Sequence, residues 1–354
     1  MLYHWSEATD GTGAHVRVAL LDYKKAFDLV DHNLLIAKLY SLGVKPTAVN
    51  WVADFLRSRY QRVKLKSDCF SDFKPVPAGI PQGTRIGPWL FLVMINDLTS
   101  SNALYSMWKF ADDTTVSEIV SKFGAAVLQD TVHDVLRWSN DNRFILNSLK
   151  CTELRIYFRR ENNLDIVSLE ANGNAFEIVK SAKILGVTVR NDLEWIDHVD
   201  DITMKASRRI YLLKQLKRAG IDRKSLILFN CTCIRSILEY ACQAFHTNLP
   251  AYLSDQIERV QKRVLRILFP EVSYSKALED AGLKTLFHRR EELCSSLFKQ
   301  IVESDHHKLA GLLPAHNDSE RYNFRTRHMF SIPNVKTKRF GNTFIMHFAN
   351  RQRL

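Results

Sequence analysis

Hydrophobic and polar positions alternate between two periods along the first 190 residues. "HVRVALLDYKKAFDLVDHNLLIAKLYSLGV" opens with an apolar β-type run ending near Asp22 and passes into a helical pattern with Leu34, Leu35, Lys38 and Leu39, closed by Gly43. "PTAVNWVADFLRSRYQRVKL" predicts a helix after Pro46, on Val49, Val52 and Phe55, and then an alternating strand around Gln61 to Leu65. "FKPVPAGIPQGTRIGPWLFLVMINDL" reads as a Gly/Pro-rich loop and a long apolar helix. "LYSMWKFADDTTVSEIV" reads as strand, turn and strand, "VLQDTVHDVLRWSNDNRFILN" as an amphipathic helix, and "ELRIYF" and "AKILGVTV" as further strands. From about Asp201 helices dominate: "KASRRIYLLKQLKRAG", "DRKSLILFNCTCIRSILEYACQAF" and "LSDQIERVQKRVLRILF". Residues 305–340 read as a poorly packed polar arm. The expected class is α+β, with an antiparallel sheet and helices over residues 1–200, a helical basic domain over 201–304 and a basic arm over 305–354.

Composition adds little to this outline, but charge adds a good deal. The 354 residues are 46% hydrophobic and 25% charged, which suits packed cores. No stretch approaches about 18 uninterrupted apolar residues, and the N-terminus lacks signal-peptide character, so an intracellular protein of nucleus or cytoplasm, with no membrane partner, is expected. The six cysteines are scattered and read as reduced thiols, and His306-His307 as a solvated pair. The net charge of +12 is unevenly spread: residues 1–200 carry 23 Lys and Arg against 24 Asp and Glu, and residues 201–354 carry 27 against 14. A basic C-terminal half beside an acidic one suggests that the former faces a polyanion.

Three carboxylates stand out: Asp22 after an apolar strand, and Asp112 and Asp113 between two strands. Taken singly, Asp22 suits a helix N-cap and the Asp pair a polar hairpin turn. If the first strand pairs beside the hairpin, the three converge at its tip. Carboxylates so placed call for divalent cations, and two Mg²⁺ ions about 3.5–4 Å apart are the common arrangement for in-line phosphoryl transfer.

"LLDYKKAFDLVDH", "AGIPQGTRIGPWLFLVMINDL", "KFADDTTV", "LNSLKCTEL" and "ILGVTV" occur in one order over residues 16–190. This series resembles the palm motifs of reverse transcriptases, most of all those of non-long-terminal-repeat retrotransposons. The later "IRSILEYACQAFH", "RVQKRVLRILF" and "FGNTFIMHFANR" resemble the region that follows the palm. The resemblance implies a polymerase palm and a helical, thumb-like domain, with Asp22, Asp112 and Asp113 as catalytic metal ligands for two Mg²⁺ ions, or Mn²⁺ in their place. By the same resemblance Phe27 is the steric gate against a ribose 2′-hydroxyl, Gln82 and Gly83 line the nucleotide pocket, Lys150 protonates pyrophosphate, and Leu185-Gly186 hold the primer end. Each has a plainer reading as well: a core Phe, a Pro-Gln-Gly turn, a solvated lysine and a Gly-interrupted core strand. Phe110 stands where tyrosine is commoner, and Cys151 where threonine often follows the lysine.

The implied activity is RNA-directed DNA polymerisation on an RNA template and DNA primer with deoxynucleoside triphosphates. Only 21 residues precede Asp22, so a fragment without most of the fingers and without an endonuclease domain is expected. Its polymerase activity is expected to be impaired, the alternative being an inactive relic that binds RNA or RNA–DNA duplex. In "DQIERVQKRVLRILF" the stripe Ile257, Val260, Val264 and Ile267 lies opposite Arg259, Lys262, Arg263 and Arg266, a set of candidate phosphate contacts. With six such contacts, binding to an RNA–DNA duplex falls roughly 10³-fold between 50 and 200 mM salt. Fluorescence anisotropy measures this directly, and a flat salt response would remove the polyanion from the reading.

Overall fold

The computed structural model describes residues 1–66, 68–99, 105–158, 167–304, 306–317 and 328–353. Backbone contacts divide the chain into two units. One comprises His15–Arg155 and Arg159–Val179, the other Met1–Ala14, Ile156–Phe158 and Lys180–Leu354. The boundary therefore falls near residue 180 rather than 201, because the hairpin at 181–190 packs with the helices that follow it.

The first unit is built on a five-stranded sheet. Its strands are β1 (His15–Leu21), β2 (Tyr105–Phe110), β3 (Asp113–Val120), β4 (Thr152–Ile156) and β5 (Glu177–Val179), in the spatial order β5-β4-β1-β3-β2. β3 runs antiparallel to both β1 and β2, while β5 lies parallel to β4, so the sheet is mixed rather than purely antiparallel. β1 reads as an apolar run rather than an alternation because both of its faces are buried. Around Ala19 and Leu21 pack helices α1 (His32–Ser41), α2 (Pro46–Leu56), α3 (Gly87–Ile95) and α4 (Leu128–Asp141). Leu35, Leu39, Val49, Leu56, Met94 and Val132 are among their fully or nearly buried contributions. The helix expected to be long after "GIPQG" is only nine residues.

Polar groups tie helix ends to the sheet. The Lys109 ammonium donates to the carbonyls of Ile95 and Leu98 at 2.8 and 2.7 Å, and Lys38 donates to that of Met94 at 2.7 Å, so two cations close the C-terminal end of α3. Glu118, on β3, accepts from the backbone N–H groups of Val127 and Leu128 at 2.9 and 3.0 Å and caps α4, whose own N-cap Val127 makes no side-chain cap. Between β1 and β4, Arg17 donates to the fully buried Glu153 at 2.8 Å, as does Arg155. Burial alone would push the Glu153 carboxyl up, but hydrogen bonds from Arg155, Arg17 and the Leu169 N–H hold it below its ordinary value.

The second unit is mostly helical. Hairpin β6 (Ser181–Ile184) and β7 (Val187–Arg190) precedes α5 (Ile196–Arg218), α6 (Ala251–Leu268), α7 (Leu286–Glu303) and α8 (Phe344–Arg351). The stretch 222–245 is not the single helix its pattern suggests. It holds a π-helical segment at Asn230–Arg235 and breaks at Ala241, whose φ is +53°. Among the described residues, Arg223–Asn248 has the length and mean hydropathy, 1.2, of a membrane span, yet it contains the Arg235–Glu239 ion pair as well as that break. The arm expected to be loose over 305–340 is mostly exposed or half-buried where it is described, but it is anchored: Phe330 and Phe340 are buried, and Asp10 accepts from the N–H groups of Lys336 and Thr337. Residues 318–327 of that arm lie outside the described residues.

Arg17→Met leaves Glu153 buried with one guanidinium fewer, at a cost of about 3 kcal/mol, read from the urea midpoint. The stability of a carboxyl held low is present above the unfolded value and is lost as pH falls through the folded one. The variant is therefore expected to unfold in acid at a higher pH than the wild type.

Candidate active site

Seven consecutive pairs join β1 to β3, from His15 with Val120 to Leu21 with Thr114. One step further along the same register sets Asp22 opposite Asp113. The hairpin between β2 and β3 closes on the pair Phe110 and Asp113, so its two-residue turn is Ala111-Asp112. Ala111 takes φ +50°, a left-handed conformation that costs an alanine roughly 1–2 kcal/mol. The turn and the carboxylate site, alternatives in the sequence, are one feature: Asp112 lies in the turn and Asp113 begins the strand.

Partial burial, then the charge of Asp112, then that of Asp22 push the Asp113 carboxyl above its ordinary value. The donor set is all hard oxygen, the kind that suits Mg²⁺. As the side chains stand, no group of three His, Cys, Asp or Glu among the described residues is gathered to metal-holding distance. The site thus has the charge and donor type for a divalent cation without the donors being drawn together around one.

Asp22 is itself held in place. Its carboxylate accepts from Asn147 Nδ2 at 3.0 Å, and its carbonyl accepts from the Asn147 N–H at 2.7 Å. Its own N–H points at Cys151 Sγ, 3.5 Å away, and burial raises that thiol to about 11. Lys24 N–H donates to the Ile145 carbonyl, so the "FILN" segment runs beside the end of β1. Lys150 is exposed, one turn beyond Asn147.

The "GIPQG" loop is laced to the chain after Asp22. Gly79 N–H donates to the Val30 carbonyl and Ile80 N–H to that of Phe27, both at 2.8 Å. Gly79 takes φ +90°, and a Cβ there would lie 2.7 Å from the Asp28 carbonyl oxygen, so glycine is required. This contact brings Gln82 Nε2 within 3.3 Å of Asp28 Oδ1. Phe27 sits in a 3₁₀ turn, half-buried and stacked on Phe91 with centroids 4.2 Å apart, while Gln82 and Gly83 are exposed.

The remaining candidates belong to the other unit. Leu185-Gly186 form the two-residue turn of the β6–β7 hairpin, both at positive φ, which replaces the reading of a Gly-interrupted core strand. Tyr240 donates its hydroxyl hydrogen bond to the Leu185 carbonyl at 2.9 Å. On α6, Ile257, Val260 and Val264 are buried and Ile267 partly so, while Arg259, Lys262, Arg263 and Arg266 are all exposed.

A family model described as reverse transcriptase (RNA-dependent DNA polymerase) matches residues 5–189. The chain belongs to the reverse transcriptase family. The RNA-directed DNA polymerase from mobile element jockey of Drosophila melanogaster is 26% identical over 70% of this chain and 28% of its own length. The probable RNA-directed DNA polymerase from transposon X-element of the same species is 24% identical over 86% of this chain and 34% of its own length. The chain thus spans about a third of the curated relatives it matches. A solved apo telomerase from Candida tropicalis overlays with a TM-score of 0.40 at 11% identity, over 88% of this chain and 54% of that one.

Within this reverse transcriptase domain, Asn147 is the residue that sequence reasoning passed over. It stood in "LNSLK" three residues before the lysine, and an amide at that spacing after a helix was a signal for a fixed hydrogen-bonding role. Carboxyl ¹³C NMR should show Asp113 titrating above the ordinary aspartate range. Asp112→Asn should lower that value more than Asp22→Asn does, and each should raise the thermal midpoint at pH 7 but not at pH 3, since a carboxyl pushed up costs stability only as pH rises past its unfolded value. An Asp113 titration untouched by either substitution would show that the three do not share a site.

Proposed function

We propose that this chain is the nucleotidyl-transfer core of an RNA-directed DNA polymerase of the non-long-terminal-repeat retrotransposon kind. It would extend a DNA primer on an RNA template with deoxynucleoside triphosphates. The observation that carries this reading is the register of β1 against β3, whose last pair, Leu21 with Thr114, leaves Asp22 and Asp113 as the next residues on the two strands, beside the turn that holds Asp112. The family match spans these residues.

In this reading Asp22, Asp112 and Asp113 hold Mg²⁺, with Mn²⁺ as a substitute. Bound there, the ions would acidify the primer 3′-hydroxyl and offset charge on the triphosphate and the departing pyrophosphate. Asn147 keeps the Asp22 carboxylate aimed while the neighbouring carboxylates repel it. Phe27, its ring fixed against Phe91, is suited to exclude a ribose 2′-hydroxyl by bulk, and Gln82 to hydrogen-bond the incoming sugar or phosphate beside it. Lys150, exposed and cationic, serves as the proton source for pyrophosphate. Gly83 leaves room for the nucleotide, and Leu185-Gly186 support the primer end.

A second reading rests on the exposed face of α6. Its four cations suit the phosphates of an RNA–DNA duplex whether or not chemistry occurs. Primer extension on a homopolymer RNA template with Mg²⁺ or Mn²⁺ separates the two. Extension that Asp113→Asn or Asp22→Asn lowers by at least about 10³-fold supports the polymerase; absence of extension with tight, salt-sensitive duplex binding supports a binding protein.

A further inference from the structure

Between α2 and the "GIPQG" loop the chain makes an excursion that the site does not use. Tyr60–Gln61 pairs with Lys74–Pro75, and Lys64–Lys66 pairs with Cys69–Phe70, so the described residues of 59–76 go out and back as one narrow ribbon. Every described residue from Tyr60 to Pro75 is exposed. The apolar side chains are no exception: Tyr60 is 65% exposed, Leu65 73% and Phe73 61%, with Val63 and Phe70 also open to solvent. A ribbon this thin has no second layer to bury them, and such a set of exposed rings asks for an explanation.

The charge supplies one. Arg57, Arg59, Arg62, Lys64, Lys66 and Lys74 face only Asp68 and Asp72 over this stretch. Six of the 23 basic residues in the first 200 therefore lie within 18 positions, in a half of the chain where acids otherwise outnumber bases. Rings and cations are also interleaved in space. The Arg62 guanidinium lies 4.0 Å from the centroid of Phe70 and 4.7 Å from that of Phe73, and the Lys64 ammonium 5.4 Å from Phe70. Arg62 and Lys64 are thus held beside aromatic faces.

We propose that the ribbon of residues 57–76 is a binding platform for single-stranded RNA. Cations alone would suit any polyanion, but exposed rings gain nothing from a duplex, whose base faces are already stacked. An unpaired strand offers both partners at once, phosphates for the lysines and arginines and free base faces for Tyr60, Phe70 and Phe73. The choice of RNA over DNA rests on the template role proposed above; the choice of a single strand rests on the ribbon itself.

The test is fluorescence anisotropy of the 354-residue chain with a labelled 12-nucleotide RNA, the DNA of the same sequence and an RNA–DNA duplex. Base stacking is worth about 1–3 kcal/mol per base, so Phe70→Ala/Phe73→Ala should weaken RNA binding at least about 10-fold and leave duplex binding within about twofold. Lys64→Ala/Lys66→Ala should lower the salt slope on the same RNA by about 1.4. Tyr60→Ala, on the neighbouring strand pair, repeats the aromatic test should the double variant unfold, and thermal midpoints equal to wild type confirm the fold. Unchanged RNA affinity in the aromatic variants overturns the proposal, as would happen if the ribbon covers another stretch of polypeptide. Equal losses on RNA and duplex, or tighter binding of DNA than of RNA, overturn it too. Primer extension reads the polymerase separately: failed extension with ring-dependent RNA binding removes the proposed chemistry and keeps the platform.

Discussion

The antiparallel pairing of β1 with β3 is the constraint on which the rest of the site depends. Strand side chains alternate faces with a period of two, so a slip of one residue would send Asp22 to the opposite face from Asp113. On one face of β1, Ala19 and Leu21 pack in the core with the helical layer and Arg17 pairs with the buried Glu153, so that face is held in the sheet register observed. The carboxylates are thus brought together by the pairing behind them, and burial, then the charges of Asp112 and Asp22, push the Asp113 carboxyl up. Elements remote from the chemistry serve the same end. Lys109 and Lys38 stop α3 and Glu118 starts α4, so the helices that fix the register are themselves fixed by residues of the sheet and its first helix.

Much of this was legible in the sequence, and for identifiable reasons. The strand ending before Asp22, the hairpin around Asp112-Asp113 and α1, α2 and α4 follow from clean periodicity and turn chemistry. The exposed cations of α6 followed from its stripe, since Ile257, Val260 and Val264 settle which side faces inward. What was not legible depended on partners distant in the chain. β5 is three residues long and joins the sheet only through parallel pairing with β4, which no local pattern announces. The break at Ala241 sits inside an apolar run that looks helical, next to a tyrosine engaged with the Leu185 carbonyl. The arm is anchored at Lys336 and Thr337 by Asp10, an acceptor more than 300 residues away.

The parts of the site divide in the same way. Residue type and order pointed to Asp22, Asp112, Asp113, Phe27 and Gln82, while geometry supplied their supports. Gly79 is the clearest case: it reads as one of several glycines in a loop, yet it is the one whose missing Cβ lets the loop lie against Asp28 and carry Gln82 to the Phe27 turn. The exposed ribbon shows the opposite relation. Its alternation predicted a strand, but a strand pattern carries no information about whether its apolar face will find a cover.

The double hydrogen bond of Asn147 to Asp22 makes a distance along the chain into a distance in the site. Asn147 follows α4 by a connector of five residues, 142–146, and it grips both the backbone and the side chain of Asp22. The length of that connector is fixed by this grip: one residue added or removed would pull the amide off the carboxylate by a residue's reach, about 3.3–3.6 Å. In this chain the spacing between a helix end and an asparagine acts as a ruler for a carboxylate more than 100 positions earlier.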